Sequence, residues 1–161
     1  AGLFTLDFPI QSPDRCETPD DLIKGLGRTP IECYKNEDYL AVFESESDIA
    51  GITPDAHFLG KLDRRGIIVT APSSAFDFVA RFFAPKYGIL EDPVTGSAYT
   101  QLMPYWAGRT GRSKLQAKQI SSRGGKVLCE IRDDRVLISG SVHRKLEGTI
   151  DVAIAPTDGS D

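Results

Sequence analysis

The sequence predicts an α+β domain in which a mixed, mostly antiparallel sheet wraps around one central apolar helix. Three observations predict it. Strand-like runs outnumber helical ones along the 161 residues, and some are joined by tight turns. One helical run, Ala98–Ala107, carries apolar residues over most of its circumference. Hydrophobic residues make up 40% of the chain, and no repeat, linker or low-complexity tract divides it, so 1–161 reads as a single domain.

Leu3–Ile10 alternates as a strand and is closed by Pro9 and the Gln-Ser-Pro-Asp turn. Pro19-Asp20-Asp21 opens a short helix through Lys24, with acidic residues at its positive end and Gly25 and Gly27 to stop it. Ile31–Lys35 and Tyr39–Glu44 form a hairpin around Asn36-Glu37-Asp38. A helical turn fits Ser45–Ile52, and Thr53-Pro54-Asp55 leads into another at His57–Leu62. Gly66–Ala71 is the clearest buried strand, and Asp77–Ala84 has apolar residues on both faces. Four strand-like runs close the chain: Leu115–Ser122, Lys126–Arg132, Arg135–Val142 and Leu146–Val152. Asp133-Asp134 turns between the second and third, and a frayed tail is expected over 155–161.

At about 100° per residue, Ala98, Tyr99, Leu102, Met103, Tyr105, Trp106 and Ala107 cover an arc of about 200°, twice the stripe of a surface helix. The sheet must therefore engulf this helix. Pro104 sits on the small, polar side with Thr100, Gln101 and Gly108. It leaves the Thr100 carbonyl without its helical donor, and a kink is expected.

Composition excludes several classes. A net charge of −4 lacks the basic stripe of a nucleic-acid interface, and the longest apolar runs are too short to span a membrane. Three widely spaced cysteines, two histidines and no CxxC give neither a disulfide framework nor a zinc site, so no metal is expected and a reducing cytoplasm is the default compartment. The chain begins at Ala1 rather than Met, which is compatible with a processed or truncated N-terminus.

The segment that points to chemistry is Glu91-Asp92-Pro93-Val94-Thr95-Gly96-Ser97-Ala98, directly before the engulfed helix. First-turn amides of a helix have no intrahelical acceptor. Gly96 lets a ligand approach them, and Ser97 adds a hydroxyl, so a carboxylate or phosphate fits there. Asp92, fixed by Pro93, is placed to move a proton on a molecule held at the turn. The same residues also fit a plain capped helix, with Asp92 and Thr95 as caps. Ser97 is not in a G-x-S-x-G context, and neither His57 nor His143 is marked as a base. Gly108–Ser113 and Arg123–Lys126 lack the spacing of a phosphate loop.

Beyond that segment, Ala80-Arg81-Phe82-Phe83-Ala84-Pro85, Tyr105-Trp106-Ala107, Gln119–Gly125, Arg135–Gly140, Leu146-Glu147-Gly148 and Leu6-Asp7-Phe8-Pro9 resemble the second half of the PhzF-like phenazine-biosynthesis family. The resemblance runs from about Leu3 to Ile150. It implies one half of a diaminopimelate epimerase-like fold, in which two similar halves each wrap a sheet around a central helix and the active site lies between them. It implies a cofactor-independent isomerase working by proton transfer on a small carboxylated metabolite, commonly as a homodimer. Asp92 then matches the motif's acidic residue, Gly96 and Ser97 the substrate anchor, and Thr95 the residue shaping the turn. Tyr99 stands where many relatives have His, beside the bound substrate. The family's main catalytic Glu belongs to the N-terminal half, and no residue here matches it. The alternative is a carboxylate-binding or structural module without chemistry.

Other residues carry weaker expectations. Arg81 could pair with a substrate carboxylate, but equally with Asp77 or Glu91; Arg123 shares the first reading. Asp7 more simply fixes a turn, His143 sits on a solvated edge, and Gly124-Gly125 allow a bend. The cysteines read as small buried hydrophobes.

Overall fold

A computed structural model describes residues 2–142 and 145–149. The elements in chain order are β1 (Leu3–Pro9), β2 (Asp14–Arg15), α1 (Asp20–Leu26), β3 (Glu32–Lys35), β4 (Tyr39–Val42), α2 (Glu46–Ala50) and α3 (Ala56–Leu59). Then follow β5 (Ile67–Pro72), β6 (Phe78–Ala84), β7 (Ile89–Asp92), α4 (Tyr99–Thr110), β8 (Lys114–Gln119), β9 (Gly125–Arg132) and β10 (Arg135–Ser141). Among the described residues the strands form one sheet in the order β1-β10-β9-β8-β6-β5-β4-β3-β2, with β7 added alongside β6. The β4–β5 and β6–β8 pairs are parallel and the others antiparallel, as the sequence predicts.

The two parallel pairs are those whose connections contain helices, α2 with α3 and then α4, because parallel strands need a crossover. β6 alternates strictly between two cores. Phe78, Ala80 and Phe82 face α4, while Val79 and Phe83 face the layer made by α1, α2 and α3. The sheet thus encloses α4 on one side and carries three short helices on the other.

α4 is as enclosed as its apolar arc requires. Tyr99, Leu102 and Met103 are fully buried, and the Trp106 ring stacks on Phe78 at 5.3 Å with only 5° between planes. The Trp106 Nε1–H donates to Thr70 Oγ1 at 3.0 Å, so its polar edge is satisfied. On its polar side Thr100 and Gln101 are buried too. Gln101 donates to Asp38 Oδ2 at 3.1 Å, and Arg65 holds both oxygens of that fully buried carboxylate at 3.0 and 2.6 Å. The Thr100 carbonyl freed by Pro104 accepts from the Gln11 backbone N–H at 3.1 Å.

At the far end of α4, Arg109 and Tyr105 reach Glu32 on β3, which also accepts from the Tyr34 hydroxyl. Burial alone would raise the Glu32 carboxyl, but the bonds from Tyr34 and Arg109 outweigh it and hold it below the usual range.

Several boundaries differ from expectation. β2 and β7 are absent from the sequence reading, being too short or too exposed to show alternation. Gly25 lies within α1, and only Gly27 ends it, in the left-handed conformation at φ 65°. Asp55, not Thr53, caps α3, accepting from the His57 N–H at 2.8 Å. Of the expected Leu146–Val152 strand, residues 146–149 are not in a strand, and 150–152 lie outside the described residues, as do His143 and the 155–161 tail.

Two predictions follow from how α4 is tied. Asp38→Ala removes one partner of a buried pair, which costs about 3–5 kcal/mol; Arg65 keeps some solvent access, so urea unfolding should show a loss near the lower bound. Glu32, with its folded pKa depressed, contributes stability that is present above its ordinary 4.5 and lost as pH falls through the lower folded value. Unfolding midpoints measured below pH 5 should therefore fall less steeply in Glu32→Gln than in the unmodified chain.

Candidate active site

The motif is built by the way β6 returns. After β6 the chain makes a 3-10 turn at Pro85–Tyr87, reverses at Gly88 and runs back as β7, where Asp92 pairs with Phe82. Strand alternation sends Glu91 and Asp92 to opposite faces. Glu91 accepts two bonds from Arg81 at 2.7 and 3.0 Å, and Arg81 Nη1 also donates to the carbonyls of Ile49 and Ile52 at the end of α2. Arg81 is therefore a structural partner of Glu91, and Asp77 pairs instead with Arg112.

Pro93 takes the chain out of the sheet, and Asp92 shapes the loop that follows. Its Oδ1 accepts from the Val94 N–H at 3.3 Å and its Oδ2 from the Thr95 hydroxyl at 2.8 Å. Thr95 occupies the N-cap position of the 3-10 turn Gly96–Ala98 that runs into α4, but its side chain makes no capping bond. The plain capped-helix reading therefore does not describe this end. Among the described residues, no side chain accepts from the amides of Gly96 or Ser97, and the Ser97 hydroxyl has no bonded partner. Asp92, Gly96 and Ser97 are half-buried and Thr95 is buried.

Residues that sequence reasoning missed fix this loop. Gln119, 1% exposed at the end of β8, accepts from the Thr95 N–H through Oε1 at 2.8 Å and donates through Nε2 to the Asp92 carbonyl at 2.6 Å. Ser121 Oγ donates to the Pro93 carbonyl at 2.7 Å and accepts from the Gly124 N–H at 3.0 Å. Gly125 is needed for contact, since a Cβ there would lie 2.6 Å from Val94 Cγ2. On the other side Leu6, on the inward face of β1, approaches Gly96: a Cβ on Gly96 would meet Leu6 Cδ1 at 3.4 Å. The signal for Gln119 was present, as a polar residue in inward register after Leu115 and Ala117.

The structure thus gathers Asp92, Thr95, Gly96 and Ser97, and sends Tyr99 elsewhere. Tyr99 is fully buried, its ring 6.2 Å from Phe78 and its hydroxyl without a partner among the described residues. Burial raises its phenol well above the usual range. Its place inside the apolar arc of α4 takes the ring into the core, so this geometry gives Tyr99 no surface contact with a molecule at the turn. Asp7 does not fix a turn; it accepts from Arg135 across the β1–β10 pair at 2.7 Å.

The α+β domain thus presents a carboxylate and open first-turn donors at the N-terminal end of an engulfed helix. A family model described as phenazine biosynthesis-like protein, PhzC-PhzF, matches residues 10–148. An uncharacterized isomerase of Pseudomonas aeruginosa is 47% identical over 145 residues, covering 90% of this chain and 56% of the relative. The phenazine biosynthesis-like domain-containing protein of Bos taurus is 46% identical over 166 residues, covering 90% and 58%. The crystal structure of a phenazine biosynthesis protein of the PhzF family from Enterococcus faecalis superposes with a TM-score of 0.84 at 42% identity, covering 86% of this chain and 54% of that one. The chain belongs to the PhzC-PhzF family, with the diaminopimelate epimerase-like fold. It spans about half the length of the curated relatives it matches. Among the described residues no helix is long and apolar enough to cross a membrane.

Gln119→Leu should leave the Thr95 N–H and the Asp92 carbonyl without their partner, at a cost of about 2 kcal/mol. Hydrogen exchange should show the Thr95 amide losing protection more than amides of β8 and β9. Unchanged protection at Thr95 would mean that Gln119 does not hold the loop.

Proposed function

We propose that this chain forms one wall of the active site of a cofactor-independent PhzF-like isomerase, which moves a proton on a small carboxylated metabolite. The observation that carries the reading is the pairing of uncapped amides at Gly96 and Ser97 with the half-buried Asp92 carboxylate beside them. The substrate carboxylate binds the amides and the Ser97 hydroxyl, where the helix end favours negative charge. Asp92 positions the reacting part of the molecule and shares in proton handling, while Thr95 holds its Oδ2. Tyr99 supports the turn from inside the core.

The opposing general acid/base, a Glu, comes from an N-terminal half of matching fold, so turnover belongs to the longer protein, working in the cytoplasm and assembled as a homodimer. Family membership supports this division, as does the share of each relative that the chain spans.

One observation favours a second reading, a carboxylate-binding module without chemistry. Both Asp92 oxygens already accept bonds from their own loop, a role that needs no substrate. Two measurements separate the readings. In heavy water the longer protein should incorporate deuterium at the isomerised carbon of its carboxylate substrate, and Asp92→Asn should slow this by about 10²–10⁴-fold. Malonate added to the 161-residue chain should shift the Gly96 and Ser97 amide resonances, and Gly96→Val should abolish the effect. Malonate binding with no exchange by the longer protein over a panel of small carboxylates leaves only the binding module.

A further inference from the structure

The fold brings two cysteines, separate in sequence, into contact. Cys16 follows β2 and Cys33 lies in β3. The register that pairs Asp14 with Lys35 and Arg15 with Tyr34 sets Cys16 opposite Cys33. The Cys16 N–H donates to the Cys33 carbonyl at 2.9 Å, and the two Sγ atoms are 3.6 Å apart. Opposed residues of an antiparallel pair have Cα atoms about 4.5–5.5 Å apart, within the roughly 4.4–6.8 Å that a disulfide spans. Side-chain movement on the order of 1.5 Å would bring the sulfurs to the bonded distance of about 2.05 Å.

The two thiols differ in access. Cys33 is 3% exposed, within the core under α1 and α3. Cys16 is half-buried and lines a surface cavity with Arg15, Thr18, Asp20, Lys35 and Tyr39. Cys129 lies apart from both, in the core around α4. We propose that Cys16 and Cys33 form a reversible dithiol–disulfide site in which hydrogen peroxide oxidises Cys16 and Cys33 resolves it.

In the first step the peroxide O–O bond breaks, one oxygen passes to the Cys16 sulfur and the other leaves as water. In the second, the Cys33 sulfur attacks the Cys16 sulfur and the S–O bond breaks. The oxygen leaves as a second water, carrying the Cys33 proton. Two thiols lose two electrons and one peroxide gains them. Burial, with the Cys16 thiol beside it, pushes the Cys33 thiol up to about 12, and the difference in access makes Cys16 the sulfur that meets the oxidant. The product ties the short edge strand β2 to β3 and closes the loop that carries α1. In a reducing compartment such a bond is transient.

The test uses the 161-residue chain, treated with hydrogen peroxide, quenched and denatured for thiol counting, with linkages mapped by non-reducing mass spectrometry. The free thiols should fall from three to one, with Cys16 and Cys33 in one linked peptide pair and all three thiols restored by dithiothreitol. Cys33→Ser should instead accumulate a Cys16 sulfenic acid trapped by dimedone, and Cys129→Ala should still form the bond. Three thiols retained, a linkage between chains, or oxidation of Cys16 that leaves Cys33 free would each overturn the proposal.

Discussion

A helix taken out of water over most of its surface needs partners for the polar groups it buries, and α4 draws them from distant segments of the domain. Of its buried polar side-chain atoms, the Tyr99 hydroxyl and Gln101 Oε1 lack one among the described residues. Its apolar arc explains why strands surround it, but its polar edge decides how they join. Gln101 requires the Asp38–Arg65 pair, which fixes the β3–β4 hairpin and the approach to β5. Pro104 frees the Thr100 carbonyl, which binds the backbone of Gln11 just after β1. The first and third quarters of the chain are thereby tied by one backbone bond. An unpaired carbonyl in that setting would cost about 1–3 kcal/mol.

The same enclosure shapes the N-terminal end of the helix. A surface helix can leave its first amides to water. Here the loop before α4 is clamped by Gln119 and Ser121 and pressed against Gly125, so the turn keeps its shape without a side-chain cap. Asp92 uses its carboxylate to order the loop and Thr95 gives its hydroxyl to Asp92 rather than to the helix. Among the described residues no side chain accepts from the amides of Gly96 and Ser97.

Much of this was legible in the sequence because it follows from period and width. The arc of α4, the two covered faces of β6 and the Thr100 carbonyl left by Pro104 all follow from side-chain direction alone. What was not legible depends on contacts between distant segments. Gln119 lies 24 residues from Thr95, and only the β6–β8 pairing shows that its amide faces the loop. Cys16 and Cys33 meet only once β2 is known to exist, and two residues carry no alternation to announce it. Tyr99 is a different case: its position in the motif points to the turn, while its angle on the helix takes the ring into the core.

The open side of the turn follows from an inequality of length. On β1, Phe8 packs into the core around α4, while Phe4 and Leu6 on the same face are 59% and 52% exposed. The inward face of the sheet therefore runs past the N-terminal end of the helix, and Leu6 stands beside Gly96 as an apolar wall. A carboxylate held by the turn would lie between that wall and Asp92, partly screened from water, where each hydrogen bond gains strength. In the proposed reading an opposing half closes this space, excludes water and brings the second proton-transfer group. In that reading Asp92 and the turn would bind a carboxylate in the chain alone, and proton transfer would need the opposing half.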